Sequence, residues 1–167
     1  MIQRIQSIYL LAVAVLLLLL FFVPTVSVDF FLGTQSSGIE MLPFGITETG
    51  GGEKAAAVST VYYGILVVVA MSLALTVIFL FRNRLLQMRL VVAGIVLQAG
   101  ILVFIAYYVY KAYSLADSIE AVSMGAKAYV SLSPVCAVPV ATIILSCLAF
   151  RGILRDHILV RSLDRIR

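Results

Sequence analysis

The chain has 167 residues, of which 63% are hydrophobic and only 12% charged, with a formal net charge of +4. A soluble domain of this size carries about 25% charged residues and about half apolar ones, so an ordinary water-soluble globule is excluded and an integral membrane protein is indicated. The positive excess collects on one side of the layout traced below instead of forming one basic face, which argues against nucleic acid as a partner.

Four apolar runs are each long enough to cross about 30 Å of hydrocarbon as a helix. The first covers about residues 5–23, contains "LLLLLFFV" and ends at Pro24. Arg4 before it would suit a signal peptide, but the apolar stretch exceeds the about 7–15 residues of a signal core, and "VPTVSVDF" offers no A-x-A-like cleavage site. The run is expected to remain as a span.

Residues 24–57 form the largest segment between spans. "VSVDFFL" and "GIEMLPFGI" have strand character, with partial alternation and β-branched or aromatic residues, and "GTQSSG" between them is turn-rich. A short hairpin is expected, resting on helix ends or a partner because two strands alone are marginal in water. The following "TETGGGEKAAAVST" is not a phosphate loop. Glu53 precedes Lys54 and an alanine follows it, so GxxxxGK[ST] fails, and a flexible link is expected.

Span two covers 58–81 and span three 90–110, joined by a short link holding Arg82, Arg84 and Arg89. Gln98 is the strongest polar group at mid-membrane depth. Its amide needs partners inside a bundle, either as interhelical glue or as a ligand contact. Gly94 and Gly100 flank it and permit close helix approach, and Ala70, Ser72, Ala74 and Thr76 suggest a similar small-residue face on span two.

After span three, "YKAYSLADSIEAVSMGAKAY" permits helix to about Val122, with Gly125 allowing a turn back. Span four, 129–150, carries "SLSPVCAVPVATIILSC". Pro134 suits a first helical position capped by Ser133. Pro139 lacks a backbone donor and is expected to kink the helix, either as a tolerated feature or as a broken-helix binding site of transporter type. Cys136 and Cys147 would be about 16 Å apart along one helix, too far for a disulfide, and are expected as packing residues.

The chain ends in "FRGILRDHILVRSLDRIR". On a helix, Ile158, Leu159, Leu163 and Ile166 fall on one side and His157, Arg161, Asp164 and Arg165 on the other. Such a basic helix suits anionic headgroups, but Asp156 and Asp164 do not. Asp164, three residues after Arg161, suggests an ion pair, and paired charges of both signs suit a protein surface. The tail is therefore expected to dock a partner, or to pack on Arg4 and the Arg82–Arg89 link.

All nine arginines lie on one side of the four spans, the three lysines on the other together with six of the eight acids. Basic residues mark the cytoplasmic side, so both termini are expected there. Seven of the eight tyrosines cluster near the opposite ends of the spans, where amphipathic rings prefer the interface. Enzyme signatures are missing: His157 stands alone, no acid pair lies within a span, and no metal-ligand spacing occurs.

The two ends, "MIQRIQSIYLL" and "RGILRDHILVRSLDRIR", resemble a family of uncharacterised bacterial inner-membrane proteins catalogued as a domain of unknown function. The matching positions are Arg4, Asp156, Leu159, Val160, Arg161, Ser162, Asp164, Arg165 and Arg167. The resemblance spans the whole chain in layout and is specific at the ends. It implies a bacterial inner membrane and brings no activity.

The expectation is a single domain, 1–167. It is an all-α membrane protein, a four-transmembrane-helix bundle running up-down-up-down, with a short extracytoplasmic β-hairpin-like loop (24–57) and a cytoplasmic C-terminal helix (151–167). No catalytic residue, cofactor or metal is expected. The expected role is that of an accessory or scaffold subunit, binding membrane lipids and another membrane protein through Arg4, Arg151, Arg155, Asp156, Arg161, Asp164 and Arg165. The alternative is a small-molecule or lipid carrier with a site near Gln98 and Pro139.

Overall fold

Four helices carry the apolar runs, and a sheet caps one end of them. The computed structural model describes residues 2–32, 35–49, 60–80, 83–122 and 127–164. In chain order the elements are α1 (Ile2–Phe22), β1 (Val26–Leu32), β2 (Gln35–Leu42), β3 (Gly45–Thr49), α2 (Val61–Phe79), α3 (Arg84–Val122), β4 (Lys127–Leu132), a 3-10 turn (Pro134–Ala137) and α4 (Val138–Asp164). The helix that continues span three ends at Val122, as its composition suggests; Gly125 lies outside the described residues.

The helices α2, α3 and α4 (with its preceding 3-10 turn) contain apolar stretches long enough to cross a membrane: Val61–Phe79, Arg84–Ser114 and Pro134–Asp156. A shorter apolar stretch, Gln6–Phe22, lies in α1. α1 packs on α2 and α4, and α3 packs on the same two. Apolar side chains line the exterior as well as the interior: Val96, Val103 and Phe79 are each about two-thirds or more exposed. Lipid satisfies such a surface, whereas water does not.

Two buried clusters fill the interior. The larger joins Val13, Leu17 and Leu20 of α1 to Val67 and Ala70 of α2 and Ile101, Ile105 and Tyr108 of α3, and reaches up to Val26, Val28 and Met41 of the sheet. The smaller, at the arginine-rich end, joins Leu10, Val77, Val91, Ala149 and Ile153. Gly94 and Gly100 face α2, where a Cβ on either would stand 3.3 Å from Leu73 or Leu66. Ala70 and Ala74 are buried, whereas Ser72 and Thr76 are exposed and donate to Val69 O and Ser72 O of their own helix. The expected four-residue face on α2 is thus split between the core and the exterior.

The expected hairpin is part of a four-stranded antiparallel sheet in the order β3-β2-β1-β4. Val26 pairs with Met41 and Leu132, and Val28 with Ile39 and Val130, so one face is apolar and lies on the helices. Four residues of the expected "GTQSSG" turn, 35–38, belong to β2, and the other two lie outside the described residues. The sequence-based start of span four is also corrected. Residues 129–132 are strand, because alternation sends Val130 inward and Tyr129 and Ser131 outward while β1 supplies the hydrogen-bonding partner.

Pro139 does not kink the middle of a helix. It is the second residue of α4, where a missing N–H leaves no interior hydrogen bond unmade. Pro134 begins the 3-10 turn, and its cap Ser133 accepts from Val135 N through the side chain. The tail is continuous with the last apolar stretch, since α4 runs 27 residues, about 40 Å.

Candidate functional site

Within the helical layer, Gln98 is 2% exposed and Ser146 3%. The Gln98 Nε2 donates to Ser146 Oγ at 3.1 Å, and Ser146 Oγ donates to Gln98 Oε1 at 3.2 Å. One hydroxyl thus uses both its donor and an acceptor lone pair on one carboxamide, and the pair closes on itself across α3 and α4. Pro139 is two helical turns from Ser146, about 10 Å along the axis, and its carbonyl accepts from Thr142 Oγ1 at 2.9 Å. The two parts of the expected carrier site are therefore separate.

At the arginine-rich end, α3 begins where α4 leaves the apolar layer. Arg84 Nη1 donates to the Asp156 carbonyl oxygen at 3.1 Å and lies 3.8 Å from its carboxylate Oδ2. Asp156, expected in an interaction surface, is thus held by Arg84, the first residue of α3. Gln87, also buried, donates through Nε2 at 3.4 Å to Val77 O in the last turn of α2, a carbonyl that also accepts from Leu80 N at 3.3 Å. Gln6 of α1 is buried against Gly152 of α4, and its Nε2 has no partner.

Arg151 and Arg155 are exposed on the same stretch of α4. Arg4 lies on the first turn of α1, and Arg161 and Asp164 lie near the end of α4. The side chains of these three fall outside the described residues, as do the expected Arg161–Asp164 ion pair and Arg165 itself. Of the expected tail set, then, Asp156 meets Arg84, and Arg151 and Arg155 are exposed on the same helix. Sequence reasoning missed Ser146, Gln87 and Gln6. The signal for each was a hydrogen-bonding side chain at an otherwise apolar helix position.

The junction between sheet and helices is also polar in part. Cys136 Sγ donates to Thr25 O at 2.8 Å, and Thr25 Oγ1 donates to Met41 O at 3.3 Å. Tyr63 meets Tyr108 edge-on at 5.8 Å, and the Tyr63 hydroxyl is fully enclosed, close to Thr25. Tyr63 and Tyr108 are buried core residues, whereas Tyr62, Tyr107, Tyr110, Tyr113 and Tyr129 are exposed. Among the described residues no group of three or more His, Cys, Asp or Glu is arranged to hold a metal.

A family model described as Domain of unknown function (DUF4293) matches residues 2–166. No curated protein matches the chain.

Proposed function

Since the chain belongs to the DUF4293 family, whose description assigns no activity, we propose a function from the residues: a small accessory or scaffold subunit of the bacterial inner membrane that works through protein contacts. In this reading it spans four times, up-down-up-down, with both termini in the cytoplasm, and it is not an enzyme. The shorter apolar stretch of α1 counts as a span because its exterior is as bulky and apolar as that of the longer helices: Ile8, Leu11, Val15 and Phe22 are all exposed.

The observation that carries this reading is the Arg84–Asp156 contact, with Arg151 and Arg155 exposed on the same helix as Asp156. One carboxylate is tied to Arg84 at the start of α3, which joins α3 and α4 at that end. The exposed guanidinium groups are free to meet anionic headgroups and a partner's carboxylates. All nine arginines share that side, which supports its placement in the cytoplasm. The carrier alternative has less support, because the Gln98 amide is closed by Ser146 and Pro139 lies at a helix start.

Purification in mild detergent, with identification of stoichiometric co-purifying proteins, tests the proposal. A membrane-protein partner that is lost on truncation after Arg155 supports it. A solitary chain carrying a bound small molecule overturns it in favour of the carrier.

A further inference from the structure

The turn between β2 and β3 holds a contact that the sheet itself does not need. Phe44 stacks on Phe21 of α1, with ring centroids 5.7 Å apart and planes 23° apart. On the other side it presses on α2: a Cβ on Gly64 would stand 2.5 Å from Pro43 O and 2.6 Å from a Phe44 ring carbon. Phe21 is in the last turn of α1 and Gly64 in the first turn of α2. The turn therefore lies at the depth of the helix ends, in the groove between α1 and α2, and not above them.

Although clamped on two sides, Phe44 is 53% exposed. Its neighbours on the helices are exposed too: Phe22 at 73% and Tyr62 at 69%, with Ile65 one turn further along α2. These side chains belong to the apolar exterior that lipid covers if the helices span a membrane, and Phe44, held between Phe21 and Gly64, adds an exposed ring at the same depth. Aromatic rings favour the boundary between headgroups and acyl chains. Pro43 also suits that position, because it brings no N–H to be satisfied.

We propose that the β2–β3 turn is a membrane-interface anchor, with Phe44 seated among the lipids of the sheet-side leaflet. It thereby fixes the sheet to the bilayer as well as to the helices. The inference rests on the membrane-spanning reading and adds a lipid contact on the side opposite the arginines.

The protein contains no tryptophan, so a single introduced indole reports its own surroundings. Phe44→Trp, Val96→Trp and Tyr129→Trp are each reconstituted into phosphatidylcholine–phosphatidylglycerol vesicles carrying acyl chains brominated near the headgroup or near the chain end. The indole at 44 is expected to lose about half its emission to shallow bromines and less to deep ones, as suits the interface. The indole at 96 should show the reverse order, and the one at 129, on the outward face of β4, should be quenched by neither. Gly45→Trp repeats the measurement without altering the Phe21 stack, since a Cβ there meets no atom within 4 Å. Quenching at 96 but not at 44 or 45 overturns the anchor and leaves the spans standing. No quenching at 96 overturns the spanning reading, and the anchor with it. Shielding at 44 from both lipid bromines and aqueous iodide means that protein covers the turn, which also overturns the anchor.

Discussion

The side chain of Gln6 occupies the space that a side chain on Gly152 would need: its Cγ lies 2.9 Å, and its Nε2 3.3 Å, from where a Cβ on Gly152 would stand. The contact brings α1 and α4 together at the arginine-rich end and leaves the Gln6 Nε2 buried without a partner. Two opposite outcomes follow. Gly152→Ala overpacks the contact and is expected to lower stability by about 1–3 kcal/mol. Gln6→Leu removes an unsatisfied donor while keeping the volume, and is expected to raise stability by about 1 kcal/mol. Thermal unfolding in mild detergent checks both, and a lowered Tm for Gln6→Leu would show that the amide has a partner after all.

Gln98 gives the contrary result for the same change. Its amide is satisfied by Ser146, so Gln98→Leu is expected to cost about 0.6–2 kcal/mol. Ser146→Ala should cost about as much, and the double variant little more than either, because each single change already breaks the closed pair. Additive losses in that cycle would mean that the two side chains stabilise the helices independently. Any partner should still co-purify with Gln98→Leu if the amide is structural.

The Arg84–Asp156 contact predicts an asymmetry between its two ends. Asp156→Ala removes the carboxylate 3.8 Å away but leaves the backbone carbonyl that accepts from Arg84 Nη1. Arg84→Ala removes both. The first is expected to cost about 0.3 kcal/mol and the second about 1 kcal/mol. Equal costs in unfolding measurements would place the whole effect in the ion pair. Raising the salt concentration should diminish the loss from Asp156→Ala more than the loss from Arg84→Ala.

Orientation is open to chemical labelling. In a background with Cys136→Ala and Cys147→Ala, Thr25 O keeps an acceptor role, since Ser133 N also donates to it at 3.3 Å. Single cysteines at Ser36 and Ser118 should react with an impermeant maleimide added outside the cell, and one at Ser162 should not. The reverse pattern would invert the topology.

How far these features could be read in the sequence differs by element. The apolar runs located four helices, and composition placed the end of α3 at Val122, because a long helix announces itself locally. β4 was hidden. "YVSL" is apolar enough to pass for the start of a span, and its alternation covers too few residues to decide between periods. Its partner β1 is about a hundred residues away, and such pairing has no local signature. Gln98 stood out as a buried amide, but Ser146 became its partner only through the register of α3 on α4. Pro139 misled because a proline in an apolar run implies a kink only if the helix has already begun; here it begins at Val138.

The pairing of β1 with β4 also fixes an order of assembly. β1, β2 and β3 follow α1 directly, but the fourth strand is made only after α2 and α3. Until Lys127–Leu132 emerges, β1 has a bare edge, with the backbone groups of Val26–Phe31 open to any passing strand. Closing that edge joins residues distant in the chain, the slowest kind of contact to form. It also draws the ends of α1, α3 and α4 to one place, since β4 leads directly into the 3-10 turn and α4. The sheet thus behaves as a late clasp: a chain stopped before Lys127 lacks β4 and leaves β1 with an unfinished edge, open to pairing with another strand.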